Sequence, residues 1–418
     1  MILLKRLLMV FLILISAFMG INVRALENIN LHSPNYIVYD MSDEKIVLQN
    51  NVDVVTPMAS LTKIMTTIVA IENSPDLDKK VIYSKSMRSD IDFDASLSGL
   101  IENQEYTVRD LLYATMLPSG ADATNALAFA VSGSIESFVD LMNQKAASLG
   151  MTNTHYVNTH GLDRDNHYSS INDLFILLKY ALKNQTFKDV YTTKSYNLSN
   201  TLDKYNKEED PHLVQSTVAK TASKMGLDAS RIIGSKTGYT DNAVKCISVL
   251  FNSNGHDYLA ITTKAPYPYK TNYHVEDAIS IINYIDNNYN NQILVKSGTL
   301  IESINVNLSE TDKFDIVTKN DVTKYLSNDY DKSKVSIEYT GLKDISYNYD
   351  KSKPLGVIKY YYDGEVLKEE EVLLDKDLKL SIEKLVNKHK YLLMLMGSLF
   401  ILLIIIIIVI IKKHKRRK

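Results

Sequence analysis

The chain has 418 residues, of which 45% are hydrophobic and 23% are charged. It is too long for one small domain and too apolar for a disordered chain, so we expect about two or three compact units. When the three basic residues of 1–25 and the six of 412–418 are set aside, 38 basic and 49 acidic residues remain. Nucleic-acid binding needs the opposite charge on the folded part, so this function is disfavoured.

The first 25 residues have the pattern of a secretory signal peptide. Lys5 and Arg6 precede the uncharged run Leu7–Met19, and Ala25 supplies a small residue at the end of the segment. A helix over this run rises only ~1.5 Å per residue and falls short of the ~30 Å hydrocarbon layer. We therefore predict a signal peptide over 1–25, cleaved after Ala25, rather than an anchor.

The C-terminus has the pattern of a membrane anchor. Tyr391–Ile411 holds 21 consecutive uncharged residues and is followed by the basic tail 412–418. That length spans a bilayer, and a basic flank belongs on the cytoplasmic side. We expect a single-pass protein of the cell membrane, with its folded part outside the cell and its C-terminus in the cytoplasm.

In chain order, the exported part begins with a β-hairpin, because apolar and polar residues alternate on both sides of a polar turn. The predicted hairpin strands are Asn35–Tyr39 and Lys45–Leu48, the predicted helices are Leu61–Ile71, Val108–Met116, Ala123–Ala130, Ile135–Ala147, Ile171–Leu182 and Val275–Ile285, and the returning strands are Arg231–Ser235, Val244–Phe251 and Tyr258–Thr263. This order predicts one sheet whose strands come from both ends of a first domain over 26–290.

Residues 291–375 change to short strands separated by turns, which predicts a small all-β domain. The predicted strands are Ser303–Asn307, Val335–Tyr339, Gly356–Tyr362 and Glu370–Leu374. Asp363-Gly364 is the clearest hairpin turn. Over 376–390, Leu378, Ile382 and Leu385 share one helical face, so we expect an amphipathic helix that leads into the membrane span.

Three short elements carry hydroxyl and ammonium groups suited to nucleophilic catalysis. They are Ser60–Lys63, Ser119–Ala121 and Lys236–Tyr239. Ser60 opens an apolar helical run, and the free N–H groups of a helix N-terminus favour a nearby oxyanion. Lys63, three residues on, shares its helix face. A lysine in a dry site beside another cation loses proton affinity and can act as a base toward a hydroxyl.

The spacing of the first element is weak evidence when it is taken alone. Ser-x-x-Lys recurs at Ser42–Lys45 and Ser381–Lys384, and Lys-Ser-Gly occurs at Lys296–Gly298. These lie in a predicted turn, beside the membrane and in the all-β region, and we interpret them as solvated surface groups. The three elements in order, each in a suitable local context, are a much stronger signal.

Taken together, they resemble the motifs of the penicillin-binding serine D-alanyl-D-alanine carboxypeptidases. Asn158–Leu162, Asn166–Ser169 and Lys236–Cys246 also resemble that family, over roughly Tyr36–Ile285 and more loosely through Leu374. The resemblance implies an α+β catalytic domain of the DD-peptidase and β-lactamase type, in which helices flank an antiparallel sheet.

Roles for the site residues follow from the same resemblance. It implies that Ser60 is the acylated nucleophile, Lys63 its general base and Ser119 the relay of a proton to the leaving amine. Lys236 would direct positive charge to the substrate carboxylate and depress the basicity of Lys63.

The remaining implied roles concern the substrate-binding strand, to which Gly238 also belongs. Thr237 would bind the carboxylate, while the backbone N–H groups of Ser60 and Tyr239 would form the oxyanion hole. The family often has a further basic residue downstream, for which Lys270 is a weak candidate.

The implied substrates are peptidoglycan stem peptides ending in D-Ala-D-Ala, from which the terminal D-alanine is removed. Penicillins would acylate the same Ser60, and no cofactor is implied. Because the base is a lysine that must be neutral, we expect a pH profile that leans to the alkaline side. Carboxypeptidase and endopeptidase action on cross-links remain alternatives at this point.

Metal and disulfide chemistry find little support in the sequence. The single cysteine, Cys246, excludes an internal disulfide and a cysteine-rich metal site. His155, His160 and His167 do not have a metal-ligand spacing on one helix, so no metal site is predicted and a metallopeptidase is disfavoured. We interpret His160 as a packing or hydrogen-bonding residue.

One position departs from the family. The family usually has Asn where this chain has Ala121, so either Asp122, Asn125 or a water replaces its amide, or the enzyme is slower or differently selective.

Two other functions stay open. Because of Ala121, a catalytically silent wall-binding scaffold is one alternative. A β-lactamase is the other, but Glu72, Glu102, Glu105, Glu136, Glu208 and Glu209 all lack an Asn four residues later.

Overall fold

The computed structural model describes residues 29–198 and 213–415. The chain divides into two compact units, with the boundary between Asn287 and Asn288. The predicted signal peptide 1–25 lies outside the described residues.

The first unit contains helices and strands in the predicted order. The helices are α1 (Thr62–Glu72), α2 (Val108–Met116), α3 (Ala121–Ser132), α4 (Ile135–Ser148), α5 (Ile171–Ala181), α6 (Gln185–Thr192), α7 (Thr217–Met225) and α8 (Tyr273–Asn288). The strands are β1 (Asn35–Asp40), β2 (Lys45–Asn50), β3 (Lys80–Ile82), β4 (Glu105–Thr107), β5 (Ser195–Asn197), β6 (Leu213–Gln215), β7 (Ile232–Thr240), β8 (Val244–Ser253) and β9 (His256–Ala265).

The main sheet of this unit has the strand order β2-β1-β9-β8-β7, and its neighbours are antiparallel. In the register, Val38 of β1 lies opposite Ala260 of β9, which joins the first part of the unit to the last. The prediction that one sheet takes strands from both ends is therefore confirmed. This sheet brings the Lys236–Tyr239 segment of β7 to an edge strand.

Helix α1 is the centre of the packing around the sheet. Every residue from Thr62 to Ala70 is buried, including the polar Lys63. A helix that is buried on all faces has its orientation set by the surrounding helices rather than by solvent. The residues at its N-terminal end are therefore held in fixed positions by the core.

Two helices have no counterpart in the sequence prediction. α7 buries only Val218 and Ala222 and is otherwise polar, so its apolar stripe is too narrow to be recognised. α6 is only eight residues long and lies outside the predicted helices. β7 also runs beyond the predicted Arg231–Ser235 to Thr240, so it includes the whole third motif.

The second unit contains small sheets followed by two helices. The strands are β10 (Tyr289–Val295), β11 (Leu300–Asn307), β12 (Lys313–Val317), β13 (Val322–Ser327), β14 (Val335–Gly341), β15 (Asp344–Ser346), β16 (Pro354–Tyr362) and β17 (Glu365–Leu373), and the helices are α9 (Ile382–Lys388) and α10 (Lys390–Lys415). Asp363 and Gly364 both have positive φ, as the central residues of a type I′ hairpin turn require. The predicted all-β character is confirmed.

The segment before α10 differs from the prediction. The amphipathic helix expected over 376–390 is limited to α9, because Leu378 packs against the apolar core of the second unit and Leu380 bridges to Ser309. α10 contains the predicted span and is long and apolar enough to cross a membrane.

Candidate active site

The three sequence motifs meet at one cavity of about 520 Å³ in the first unit. The motif residues that line it are Ser60, Lys63, Ser119, Ala121, Thr237, Gly238 and Tyr239. Lys236 is 1% exposed and makes its contact with Ser119 behind this lining. Sequence positions more than 100 residues apart are therefore brought to one place.

Ser60 and Lys63 form the first pair. Ser60 lies in the 3₁₀ turn Ala59–Leu61 that leads directly into α1. The Lys63 Nζ donates to Ser60 Oγ at 3.0 Å and to the backbone carbonyl of His160 at 2.7 Å. Ala59 has φ +45°, an uncommon conformation for a residue with a side chain. The tight entry to the helix thus places the Ser60 hydroxyl over the lysine.

Ser119 and Lys236 form the second pair. Ser119 sits in the turn between α2 and α3 with φ +67° and is 4% exposed. The Lys236 Nζ donates to Ser119 Oγ and to the Thr237 carbonyl, both at 2.8 Å. Each buried lysine therefore contacts one hydroxyl and one backbone carbonyl.

The two lysines have depressed proton affinities. Burial, and after it the positive charge of Lys236, hold the pKa of Lys63 well below its ordinary range, while Asp122 acts in the opposite direction. Burial lowers the pKa of Lys236 to about 7. Within the described residues, no carboxylate lies within ion-pair distance of either Nζ. Desolvation without a compensating anion favours the neutral amine.

Two glycines allow the backbone segments to approach the nucleophile. A Cβ on Gly238 would lie 2.9 Å from the Ser60 nitrogen, so β7 passes directly beside the turn that holds Ser60. Gly161 has φ +87°, and a Cβ there would lie 1.9 Å from the carbonyl oxygen of Ala59. Only glycine satisfies both the conformation and the space at position 161.

The loop that carries the His160 carbonyl is held by buried polar side chains. Thr159 Oγ1 donates to Asn125 Oδ1 at 2.6 Å, and Thr66 Oγ1 donates to the Thr159 carbonyl at 2.6 Å. Asn158 Oδ1 accepts the N–H of Gly161 at 2.7 Å. These contacts fix the acceptor of Lys63, and sequence reasoning did not identify Asn125 or Thr159 in this role.

The buried histidines support the local backbone. Leu162 N–H donates to His160 Nδ1 at 3.2 Å, and Val157 N–H donates to His167 Nδ1 at 3.2 Å. Because Nδ1 of His167 accepts this hydrogen bond, its Nε2 carries the ring hydrogen and donates to Thr62 Oγ1 at 2.9 Å. Burial lowers the pKa of His160 to about 3 and that of His167 to about 4, so both rings are neutral. The hydrogen-bonding interpretation of His160 is confirmed.

Neither side chain that was expected to replace the missing amide at Ala121 is free to do so. The Asp122 carboxylate accepts the N–H groups of Ser98, Gly99 and Leu100. The Asn125 amide donates to the Ser89 carbonyl at 2.9 Å and accepts from Thr159. Both are therefore occupied by structural contacts.

Lys245 is a cation of the cavity that the sequence did not reveal. It lies opposite Tyr239 in the β7–β8 register, and its Nζ is 4.7 Å and 4.3 Å from the ring centroids of Tyr239 and Tyr267. Burial lowers the pKa of its ammonium group. Lys270, the candidate from sequence, lies in the 3₁₀ turn Pro268–Lys270. The signal that could have identified Lys245 is the register of the β7–β8 hairpin, which places it opposite Tyr239 of the third motif.

Comparison with known proteins agrees with this geometry. The sequence profile of the D-alanyl-D-alanine carboxypeptidases matches residues 22–266. The chain belongs to the D-alanyl-D-alanine carboxypeptidase family. It is thus a serine-type hydrolase of a penicillin-binding, cell-wall family, as the motifs predicted. A second profile, the C-terminal domain of penicillin-binding protein 5, matches residues 289–380.

Individual relatives cover most of the chain. D-alanyl-D-alanine carboxypeptidase DacF of Bacillus subtilis is 29% identical over 349 residues, which are 82% of this chain and 85% of that protein. The Streptomyces sp. strain K15 carboxypeptidase is 32% identical over 245 residues, 54% of this chain and 77% of that protein.

Solved structures share the fold. Penicillin-binding protein 5 of Haemophilus influenzae aligns with a TM-score of 0.56 at 22% identity, over 85% of this chain and 100% of that chain. The Streptomyces K15 DD-transpeptidase aligns with a TM-score of 0.52 at 27% identity, over 61% and 97%.

The close approach at Gly161 generates a prediction. Gly161→Ala should lower D-alanine release from a diacyl peptide ending in D-Ala-D-Ala by about 10²-fold, because the clash with Ala59 displaces both Ser60 and the His160 carbonyl. Gly150→Ala is the matched control, since Gly150 also has positive φ but has no atom within 4 Å of its added Cβ. Equal losses in the two variants would show that backbone strain, not this contact, is responsible.

Proposed function

We propose that this chain is a membrane-anchored carboxypeptidase that removes the terminal D-alanine of peptidoglycan stem pentapeptides through an acyl-enzyme on Ser60. The observation that carries the proposal is the convergence of two hydroxyl–lysine pairs, Ser60–Lys63 and Ser119–Lys236, at one cavity. The proposed catalytic domain is 26–290 and the proposed β-domain is 291–375.

Acylation begins with Ser60 and the neutral amine of Lys63. One Lys63 N–H is held by the His160 carbonyl, which orients the amine so that its lone pair can take the Ser60 proton. Ser60 Oγ then attacks the carbonyl of the penultimate D-alanine, forming a carbon–oxygen bond. As the carbon–nitrogen bond of the peptide breaks, the departing D-alanine needs a proton.

Ser119 is suited to deliver that proton. Its Oγ accepts an N–H from Lys236, and its O–H donates to no other group in the described part of the chain, so it can donate to the leaving amine. The proton that Lys63 took from Ser60 passes back through this hydroxyl. Water then hydrolyses the ester of Ser60, and the shortened peptide is released.

The oxyanion formed during both steps is stabilised by backbone donors. The approach of Gly238 to the Ser60 nitrogen places β7 next to the helix entry, so the N–H groups of Ser60 and Tyr239 can serve one oxygen. A preorganised donor of this kind contributes roughly 10²–10³ in rate.

The substrate carboxylate is assigned to Thr237 and Lys245. Thr237 Oγ1 is within 2.7 Å of Thr217 Oγ1, which fixes its side chain at the cavity wall. Lys245 faces the same cavity and makes no ion pair with the described residues. Its unpaired charge complements the leaving D-alanine, and Lys236 adds positive potential behind Ser119.

Anchoring follows from the two ends of the chain. The signal peptide 1–25 would direct export, and α10 would cross the membrane with the basic tail 412–418 in the cytoplasm. The catalytic domain would then act outside the cell on the wall.

The central experiment is labelling with a fluorescent penicillin. Ser60→Ala should abolish both the label and D-alanine release, because it removes the only nucleophile of the mechanism. Ser42→Ala removes the serine of the Ser-x-x-Lys sequence that begins in the β1–β2 turn, and it should leave the label and D-alanine release unchanged. Rapid loss of label from the unaltered protein would instead support a β-lactamase, and absence of label would support a silent scaffold.

The depressed pKa of Lys63 predicts a pH dependence. Its neutral form is the base, so the acylation rate should be low in acid and rise with pH to a plateau. Lys236→Ala removes the positive charge that lowers the pKa of Lys63, so the acid limb should move to higher pH, whereas Lys236→Arg should leave its position unchanged. The rate of penicillin acylation from pH 5 to 10 measures this, and a maximum near pH 5 would contradict the assignment.

The assignment of Lys245 predicts a binding defect. Lys245→Met should raise KM for the D-Ala-D-Ala peptide about tenfold, as expected for loss of one charge-assisted contact. Lys224→Met, an exposed lysine on α7, is the control. A KM that is unchanged in the Lys245 variant would remove Lys245 from the binding site.

A further inference from the structure

The cavity wall beside Ser119 lacks a side-chain hydrogen-bond donor at Ala121. Ala121 lines the cavity but offers only a methyl group. Asp122 and Asn125, its neighbours on α3, are occupied by the contacts described above. A substrate carbonyl directed at this wall must therefore find its donor on another element.

Ser96 lies at the required place. The Ala121 N–H donates to the Ser96 carbonyl at 2.8 Å, so the two residues are direct neighbours, and both line the cavity with Ser60. The Ser96 side chain is exposed. Within the described ranges 29–198 and 213–415, its hydroxyl has no hydrogen-bond partner, so it is available to a ligand.

The loop that carries Ser96 is held rigidly against α3. The Asp122 carboxylate accepts the N–H and hydroxyl of Ser98 at 2.8 Å each and the N–H groups of Gly99 and Leu100 at 3.1 Å. A Cβ on Gly120 would lie 2.6 Å from the Cβ of Ser98, so the loop and the helix entry are in close contact. The backbone that carries Ser96 is therefore held in place beside α3, so binding a ligand there has to order little more than the Ser96 side chain.

We propose that the Ser96 hydroxyl donates a hydrogen bond to the substrate carbonyl that precedes the penultimate D-alanine, the contact that Ala121 cannot make. This inference rests on the proposed function. A hydroxyl can both donate and accept, so it satisfies a single carbonyl but does not provide the two donors of an amide. Ser96 is thus a specificity-determining residue for ligands that carry this carbonyl.

Two β-lactams separate this role from a structural one. Benzylpenicillin has an acylamide carbonyl at the corresponding position, whereas 6-aminopenicillanic acid has a free amine there. Ser96→Ala should slow acylation of the full-length protein by benzylpenicillin about three- to tenfold, the loss typical of one neutral hydrogen bond. Acylation by 6-aminopenicillanic acid should be unchanged.

A second variant supplies the missing donor from the other side. Adding Ala121→Asn to Ser96→Ala should restore the rate with benzylpenicillin and again leave 6-aminopenicillanic acid unaffected. Ser98→Ala is the structural control, because it weakens the contact of the loop with Asp122 and should slow both compounds equally.

The outcomes separate this inference from the proposed function. If the unaltered protein neither takes the label on Ser60 nor releases D-alanine, the proposed function itself fails. If it does both, an unchanged benzylpenicillin rate in Ser96→Ala, or equal slowing with the two compounds, overturns the role of Ser96 alone.

Discussion

The structure depends on the burial of two lysine side chains, Lys63 and Lys236, without a carboxylate partner for either Nζ among the described residues. Removing an ammonium group from water is costly, so burial lowers the pKa of both lysines, and the positive charge of Lys236 lowers that of Lys63 further. Each Nζ keeps two hydrogen bonds, one to a hydroxyl and one to a backbone carbonyl. In the proposed mechanism, the same burial that costs stability lets Lys63 act as a base without a histidine.

The rest of the catalytic unit holds this arrangement in place. α1 is buried on all its faces, so Lys63 cannot move toward solvent without disrupting the core. Gly161 and Gly238 bring two backbone segments against the turn of Ser60, and Asn125 and Thr159 hold the loop that accepts from Lys63. The strained Ala59 and Ser119 are maintained by this packing, as is common for residues at functional sites.

Much of the fold was predictable because its signals are local. Alternation and helical periodicity identified the β1–β2 hairpin, most helices and the all-β second unit, and the three ordered motifs indicated the family. α7 was not identified because its apolar stripe is narrow. The proposed roles of Lys245 and Ser96, and the contact of Asn125 with Thr159, depend on cross-strand register and on contacts between distant segments, which periodicity does not encode. The spacing of Leu378 from Ile382 and Leu385 fits one face of a helix, but an apolar residue at this position can equally pack against a sheet. Spacing alone therefore does not distinguish the two, and in the structure Leu378 packs against the core of the second unit.

The central claim is that Lys63 is neutral in the folded protein near neutral pH. The most direct measurement is a ¹³C NMR titration of the protein with labelled lysine ε-carbons, with Lys63→Arg to assign the signal. The account predicts a Lys63 signal that titrates well below the range of the exposed lysines and is absent from the variant. A Lys63 signal that titrates together with the surface lysines would contradict the account.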